Sequence, residues 1–67
     1  MAIHKVIEVL CQSEKSWEDA AQQAVKEAGK TVKNIKSIYI KNMEGVVKDN
    51  KIVHYRVNAN ITFELGQ

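Results

Sequence analysis

The C-terminal part of the chain alternates strictly between apolar and polar residues. The apolar positions, two residues apart, are Val53, Tyr55, Val57, Ala59, Ile61, Phe63 and Leu65. The polar positions between them are His54, Arg56, Asn58, Asn60, Thr62 and Glu64. Because successive side chains of a β-strand point to opposite faces of its sheet, this period predicts a strand with one dry face and one polar face.

A second strand is predicted from Ile35 to Lys48, and it forms a hairpin with the last strand. Asp49-Asn50 is the expected turn, since both residue types tolerate the left-handed backbone of a two-residue loop. The residues expected on the dry face are Ile38, Ile40 and Val46. The residues expected on the opposite face are Ile35, Ser37, Tyr39, Lys41 and Met43, with Ile52 of the last strand. Such a loop pairs Lys48 with Lys51, and a bulge near Gly45 would shift the register beyond it.

The N-terminal half of the chain predicts a strand followed by a helix. Ala2 to Cys11 is rich in β-forming residues and is predicted to form the first strand. Beyond Gln12 the apolar residues recur every three or four positions, which is typical of an amphipathic helix. The residues of this stripe are Trp17, Ala20, Ala21, Ala24, Val25 and Ala28. Ser13 or Ser16 can cap the start of the helix, and Gly29 marks its end.

These elements predict an α+β fold of the order β-α-β-β, in which a single helix packs on a three-stranded antiparallel sheet. A right-handed crossover makes the first two strands parallel, and the hairpin makes the third antiparallel to the second. If the third strand lies between the other two, every neighbouring pair is antiparallel and the most apolar strand is central. We expect that order, with the helix on the dry face, Trp17 as its bulky anchor and no helix on the other face.

The length of the chain limits its stability as a single subunit. Its 67 residues make one domain, 1–67, and a chain of this size buries only about 60% of its unfolded surface. The single Cys11 allows no internal disulfide, and no cluster of Cys and His in the sequence suggests a structural metal. Partner copies of the chain are therefore the expected source of additional stability.

The net charge and the absence of known sequence motifs argue against several classes of function. The 10 basic and 8 acidic residues give a net charge of +2 and are mixed along the chain, so nucleic acid is not the expected partner. The sequence lacks a nucleophile elbow, a Gly-rich phosphate loop and an HExxH motif, and we expect no enzyme. No apolar run reaches the roughly 20 residues of a membrane span and no signal-peptide core is present, so a cytoplasmic protein is expected.

Four clusters of residues resemble a known family. They are Lys5-Val6-Ile7-Glu8 in the first strand, Ser13-x-x-Ser16-Trp17-Glu18-x-Ala20 at the start of the helix, Lys30-Thr31-Val32-x-Asn34-Ile35 after it, and Gly45-x-x-x-x-Asn50-Lys51-Ile52-Val53-x-Tyr55 across the hairpin. In this order, and over nearly the whole chain, they resemble the dodecins. The resemblance implies a subunit that assembles into a hollow homododecamer. It also implies a protein that binds flavins in pairs at subunit contacts, for storage and photoprotection.

Two positions depart from the flavin-binding members of that family. Those proteins carry a tryptophan on the second strand that stacks on the isoalloxazine ring, and here the matching position is Ser37, preceded by Lys36. They also carry a glutamine directly after the tyrosine of the third strand, where it bonds the polar edge of the flavin. In this chain the residue after Tyr55 is Arg56. A stack on indole is therefore not available at Ser37.

These replacements lead to a hypothesis about the ligand. Arg56, with Lys36 or Lys41, can hold a phosphate by charge, and Tyr39 can serve as a substitute platform for the ring. The expected cofactor is FMN in preference to riboflavin, with riboflavin or FAD as alternatives. The residues expected to bind it are Arg56, Ser37, Lys36, Tyr39 and Lys41. Two other interpretations stay open, a dodecin-like shell that no longer binds flavin and a small nucleic-acid-binding domain. The residues without an assigned role are His4, His54 and Cys11.

Overall fold

The computed structural model describes residues 2–66 and contains, within that range, one helix and three strands. The strands are β1 (Ile3–Ser13), β2 (Ile35–Lys48) and β3 (Lys51–Leu65), and the helix is α1 (Trp17–Ala28). Neighbouring strands are antiparallel, and their order across the sheet is β1-β3-β2. The predicted α+β fold of the order β-α-β-β, with the third strand in the centre, is confirmed. β1 continues to Ser13, two residues beyond its predicted end at Cys11.

Both candidate serines contribute to the start of α1, in different ways. Ser16 is the N-cap, and its hydroxyl oxygen accepts a hydrogen bond of 3.0 Å from the backbone N–H of Asp19. Ser13 is 8% exposed, and its hydroxyl accepts from the backbone N–H of Lys15 and donates to the Asp19 carboxylate at 2.6 Å. The two serines therefore fix the angle at which β1 leads into the helix. The predicted end of the helix at Gly29 is confirmed.

The predicted turn of the hairpin is also confirmed. Asp49 and Asn50 have φ angles of 54° and 65°, and Lys48 pairs with Lys51 across them. Positive φ at both central residues is what a type I′ loop requires, and its twist matches that of the flanking strands.

The register between β2 and β3 shifts at three points in the described chain. At each shift one residue has no directly opposite partner: Lys36 and Lys41 on β2, and Val53 on β3. The predicted bulge near Gly45 is thus confirmed and lies between Val46 and Val47. Each extra residue in one strand reverses which face the following residues point to, because the alternation of a strand has a period of two.

The bulges overturn part of the predicted face assignment. Ile35 and Met43 pair with Phe63 and Val57, so they lie on the side of the sheet that carries the helix and not on the opposite face. Ile52 lies on the helix side as well. A Cβ built on Gly45, which pairs with Tyr55, would be 3.5 Å from the Ile52 side chain. Val46 pairs with His54 and lies on the face away from the helix, and the prediction that placed it on the dry side was wrong.

The buried core lies where α1 crosses the sheet. Its fully covered residues are Ala20, Val57, Ala59 and Ile61, all at most 1% exposed. The small side chains of Ala20 and Ala59 let the helix axis approach the strands closely. Trp17 packs edge-on against Tyr55, with ring centroids 4.7 Å apart, and its Nε1 donates to the carbonyl of Glu44 at 3.1 Å.

The alternating apolar residues of β3 were predicted to form one dry face under the helix, and the residues of that face are fully buried only where α1 covers them. Phe63 is half-buried, and Leu65 is 46% exposed. A helix of 12 residues is about 18 Å long, whereas the molecule extends over 51 Å. The ends of the sheet therefore project beyond the helix that covers its middle.

Ile61→Ala should lower the free energy of unfolding by about 2–5 kcal/mol, because it removes a fully buried side chain and leaves a cavity. Thr62→Ala, one residue further and on the opposite face, is the matched control and should change it by about 0.5 kcal/mol or less. Urea denaturation followed by circular dichroism measures both. Equal midpoints for the two variants would contradict the location of the core.

Candidate functional site

The face of the sheet away from α1, here called the open face, carries the polar residues of β3. Its β3 residues are His54, Arg56, Asn58, Asn60, Thr62 and Glu64. Directly opposite residues of neighbouring strands share a face, so β1 adds Val6, Glu8, Leu10 and Gln12. On the same grounds β2 adds Ser37, Tyr39, Asn42, Glu44 and Val46. The bulged Lys36 and Lys41 also belong to the open face, because their ammonium groups reach carboxylates on it.

The cations of this face are paired with carboxylates across the strands. Lys41 Nζ lies 2.8 Å from Glu8 Oε2 on β1, so its side chain spans the central strand. Lys36 Nζ lies 3.7 Å from Glu64 Oε1. Such exposed pairs contribute about 0–1 kcal/mol each, so they orient the side chains more than they stabilise the fold.

Arg56 is the most firmly held of these cations. Its Nε and Nη2 donate to Oε1 of Gln12 at 3.2 and 2.9 Å, and its Nη1 lies 3.7 Å from Oε1 of Glu44. The guanidinium group therefore connects β1, β3 and β2 at one level of the sheet. A planar group fixed in this way presents a defined face and a fixed charge to whatever lies on the sheet.

Tyr39 is the aromatic residue of the open face. Its side chain is 67% exposed, and it pairs with Asn60 in the central strand. Ser37 pairs with Thr62 and is exposed beside it, which confirms that Ser37 and Tyr39 share a face. Leu10, also 67% exposed, adds an apolar surface from β1. Aromatic, apolar and amide groups thus lie next to one another, and no element of residues 2–66 covers them.

The five residues predicted to bind the ligand fall into two places within one subunit. Ser37 and Tyr39 lie between the bulged Lys36 and Lys41 and form one group on β2. Arg56 is four residues along β3 from the partner of Tyr39 and six from the partner of Ser37. At about 3.3 Å per residue these separations are about 13 and 20 Å. A single subunit therefore does not bring Arg56 together with Ser37.

Two residues that shape this face were missed in the sequence. Gln12 holds Arg56, and Glu8 holds Lys41. Both occupy even-numbered positions of β1, as do Val6 and Leu10. Once β1 is paired with β3, the alternation of side chains along β1 predicts that these residues lie on the open face. The imperfect apolar pattern of β1 concealed it.

The residues left without a role take ordinary structural positions. The Sγ of Cys11 lies 3.5 Å from the carbonyl of Val57, and burial raises the pKa of this thiol. His54 Nε2 lies 3.8 Å from the Glu14 carboxylate, and His4 is opposite Glu64. Among residues 2–66 no group of three or more His, Cys, Asp or Glu side chains is placed to hold a metal ion. The helix of the described chain is too short and too polar to cross a membrane.

The fold agrees with comparisons to known proteins. The family model for the dodecins matches residues 3–66, and the chain belongs to the dodecin family. The calcium dodecin of Mycobacterium tuberculosis is 29% identical over 65 residues, which are 97% of this chain and 92% of that protein. Its crystal structure, described as that of a calcium-chelating antigen with a novel calcium-binding site, has a TM-score of 0.82 and 28% identity, over 96% of this chain and 91% of that one.

Other solved dodecins are closer in shape. An arginine-to-alanine mutant of the Thermus thermophilus dodecin has a TM-score of 0.93 at 25% identity, and the match covers 100% of this chain and 98% of that one. The dodecin of Streptomyces davaonensis has a TM-score of 0.92 at 20% identity, with 98% and 97% covered. Dodecins are small binding and storage proteins that form oligomeric assemblies and generally bind flavin, although one relative carries a calcium site.

The pairing of Glu8 with Lys41 predicts a pH dependence. The hydrogen bond from Lys41, and then its charge, hold the pKa of the Glu8 carboxyl below its ordinary value. A carboxyl whose pKa is lower in the folded state stabilises the fold above its unfolded pKa, and this contribution is lost as the pH falls through the folded pKa. In an NMR titration, Lys41→Met should return the pKa of Glu8 towards its ordinary value. Lys36→Met, which removes a cation paired with Glu64, should leave Glu8 unchanged.

Proposed function

We propose that this dodecin is a flavin-storage protein that assembles into a closed homododecamer and binds FMN in preference to riboflavin at subunit contacts. The observation that carries the proposal is Tyr39, an aromatic side chain 67% exposed on the open face beside Lys41. An exposed aromatic next to a cation suits a ligand that combines a flat ring with a phosphate. A cytoplasmic location is part of the same proposal, since a single free cysteine agrees with a reducing compartment.

The shape of the subunit supports self-association. Its accessible surface is 5106 Å², whereas a monomeric protein of its mass exposes about 4,300 Å². Its radius of gyration is 13.6 Å, against about 11 Å for a compact chain of this length. The excess of about 800 Å² is the area that one partner buries in an interface of standard size.

The separation of the proposed binding residues supports a site between copies. Tyr39 and Arg56 lie about 13 Å apart along the sheet in one subunit. A second copy that faces the first brings its own Arg56 near the Tyr39 of its neighbour. The ring then stacks on Tyr39, which contributes about 1 kcal/mol, and the amides of Asn58 and Asn60 are available to the polar edge of the flavin.

The charges of the open face support the choice of FMN. Its phosphate carries between one and two negative charges near neutral pH, whereas riboflavin has no anionic group. Arg56 offers a fixed guanidinium, and Lys41 and Lys36 are long enough to turn from their carboxylates to a phosphate. A charge-assisted contact contributes about 1.5–3 kcal/mol.

The calcium-binding relative raises calcium as an alternative ligand. Calcium takes six to eight oxygen ligands and prefers several carboxylates. On the open face the carboxylates of Glu8, Glu44 and Glu64 are separated and each lies near a cation. This arrangement favours an anionic ligand, and calcium is kept as an outcome of the binding test.

The assembly is tested by sedimentation of the purified protein at micromolar concentration. We expect one species with the mass of twelve subunits, because the exposed apolar ends of the sheet and the excess surface require cover. Dilution over a hundredfold range should leave this mass unchanged. A folded monomer or dimer at every concentration would contradict the proposal.

Binding is tested by fluorescence titration of FMN and riboflavin at low and high salt. The parent should prefer FMN by about tenfold or more, and salt should weaken FMN binding more than riboflavin binding, because screening acts on the phosphate contact. Arg56→Ala should lose the preference. Lys26→Ala, which removes an exposed cation from the helix, is the matched control and should retain it.

Tyr39 is tested in the same titration. Tyr39→Ala should weaken both flavins, whereas Tyr39→Phe should bind them as the parent does, because the ring and not the hydroxyl forms the platform. Equal affinities of the parent for the two flavins would contradict the role of Arg56. A parent that binds neither flavin would favour the empty shell, binding of calcium alone would favour the metal function, and salt-dependent retention of an oligonucleotide would favour the nucleic-acid interpretation.

A further inference from the structure

A group of exposed apolar residues lies towards the hairpin end of the sheet, on the side opposite to the open face. It is here called the hairpin overhang. It consists of Met43, Val47 and Ile52, which are 62%, 61% and 49% exposed. All three lie on the helix side of the sheet, and α1 leaves about half or more of each residue exposed. Because they are on the other side from Tyr39 and Arg56, a ligand on the open face cannot cover them.

A cleft of about 460 Å³ lies elsewhere in the subunit, between α1 and the outer edge of β1, and is here called the helix–β1 cleft. Its apolar lining comes from Ile7, Val9, Ala24, Ala28 and Val32. The alanines of α1 leave this space open because they supply little volume. Glu27 and Gln23 add polar groups to its lining.

We propose that the hairpin overhang of one copy packs into the helix–β1 cleft of a neighbouring copy. This inference rests on the self-association in the proposed function and assigns the surfaces that carry it. The overhang and the cleft are different parts of the subunit, so the contact is heterologous: each copy donates one surface and accepts with the other. Heterologous contacts close into rings when the rotation between copies permits it.

Charge and area favour a second copy of the chain as the occupant. Lys48 and Lys51 are exposed at the tip of the overhang, and Glu27 is exposed at the cleft with its side chain 75% accessible. The present partner of Glu27 is Lys30, which lies just after the end of the helix. Its Nζ is 3.3 Å from Glu27 Oε1, and such an exposed ion pair is weak. Two copies joined in this way place lysines against a carboxylate around an apolar centre. Their excess surface is also of the size that such a contact buries.

The decisive experiment uses one variant of each surface. Ile52→Asp places a charge in the overhang, and Ala28→Arg fills the cleft with a residue that favours helix. Native mass spectrometry should show that each variant alone loses the assembled mass. An equimolar mixture should form complexes that contain the two variants in a 1:1 ratio, smaller than the parent assembly, because the first variant retains an intact cleft and the second an intact overhang.

Two further measurements keep the test independent of folding. Circular dichroism reports whether each variant is folded, and Gln22→Arg, on the solvent side of α1, is the control that should assemble as the parent does. The charge reversal Lys51→Glu changes only an exposed residue and should weaken association about tenfold or more. Adding Glu27→Lys to the same chain should restore it.

The outcomes separate this inference from the proposed function. If the parent assembles but Ile52→Asp and Ala28→Arg also assemble, the contact lies elsewhere and the inference is overturned while self-association stands. A mixture that yields no complex with a 1:1 ratio of the two variants also overturns it. A parent that stays monomeric overturns the proposed assembly and this inference together.

Discussion

The helix is much shorter than the sheet on which it packs, and this difference in length determines which residues of the subunit are buried. α1 has 12 residues and is about 18 Å long, whereas the subunit extends over 51 Å. Burial is therefore concentrated at Val57, Ala59 and Ile61, and apolar residues at both ends of the sheet stay exposed. A subunit that buries so small a core is only marginally stable alone, and association with further copies is the physical means of covering the remainder.

The bulges of β2 determine where its lysine side chains lie and how well its edge is protected from pairing with another strand. Two of them leave a lysine, Lys36 or Lys41, as the extra residue of β2, and both side chains reach over the open face. β2 is an edge strand, and bulged lysines hinder the addition of another strand to such an edge. The same residues supply cations near Tyr39. These two bulges thus protect the edge and place charge beside the candidate site.

The fold could be predicted from the sequence because its signals are periodic. The alternation of β3, the three- and four-residue spacing of α1 and the Asp49-Asn50 turn each depend on local chemistry. The faces of β2 could be predicted for Ser37, Tyr39 and Ile40, which lie between two bulges, but not for Met43 or Val46. A bulge leaves no periodic signal, and it reverses every assignment that follows. The partners of Arg56 depend on the pairing of β1 with β3, which no local pattern specifies.

The balance of charge on the open face limits how selective the proposed site can be. A phosphate that binds to Arg56 or Lys41 competes with a carboxylate that already lies within 4 Å of each. These exposed pairs contribute about 0–1 kcal/mol, whereas a charge-assisted contact to phosphate contributes about 1.5–3 kcal/mol. The difference favours the phosphate by about 0.5–3 kcal/mol. Riboflavin leaves the ion pairs intact and gains nothing from them. The proposed preference for FMN therefore depends on an exchange of partners, and we expect it to be about tenfold in size.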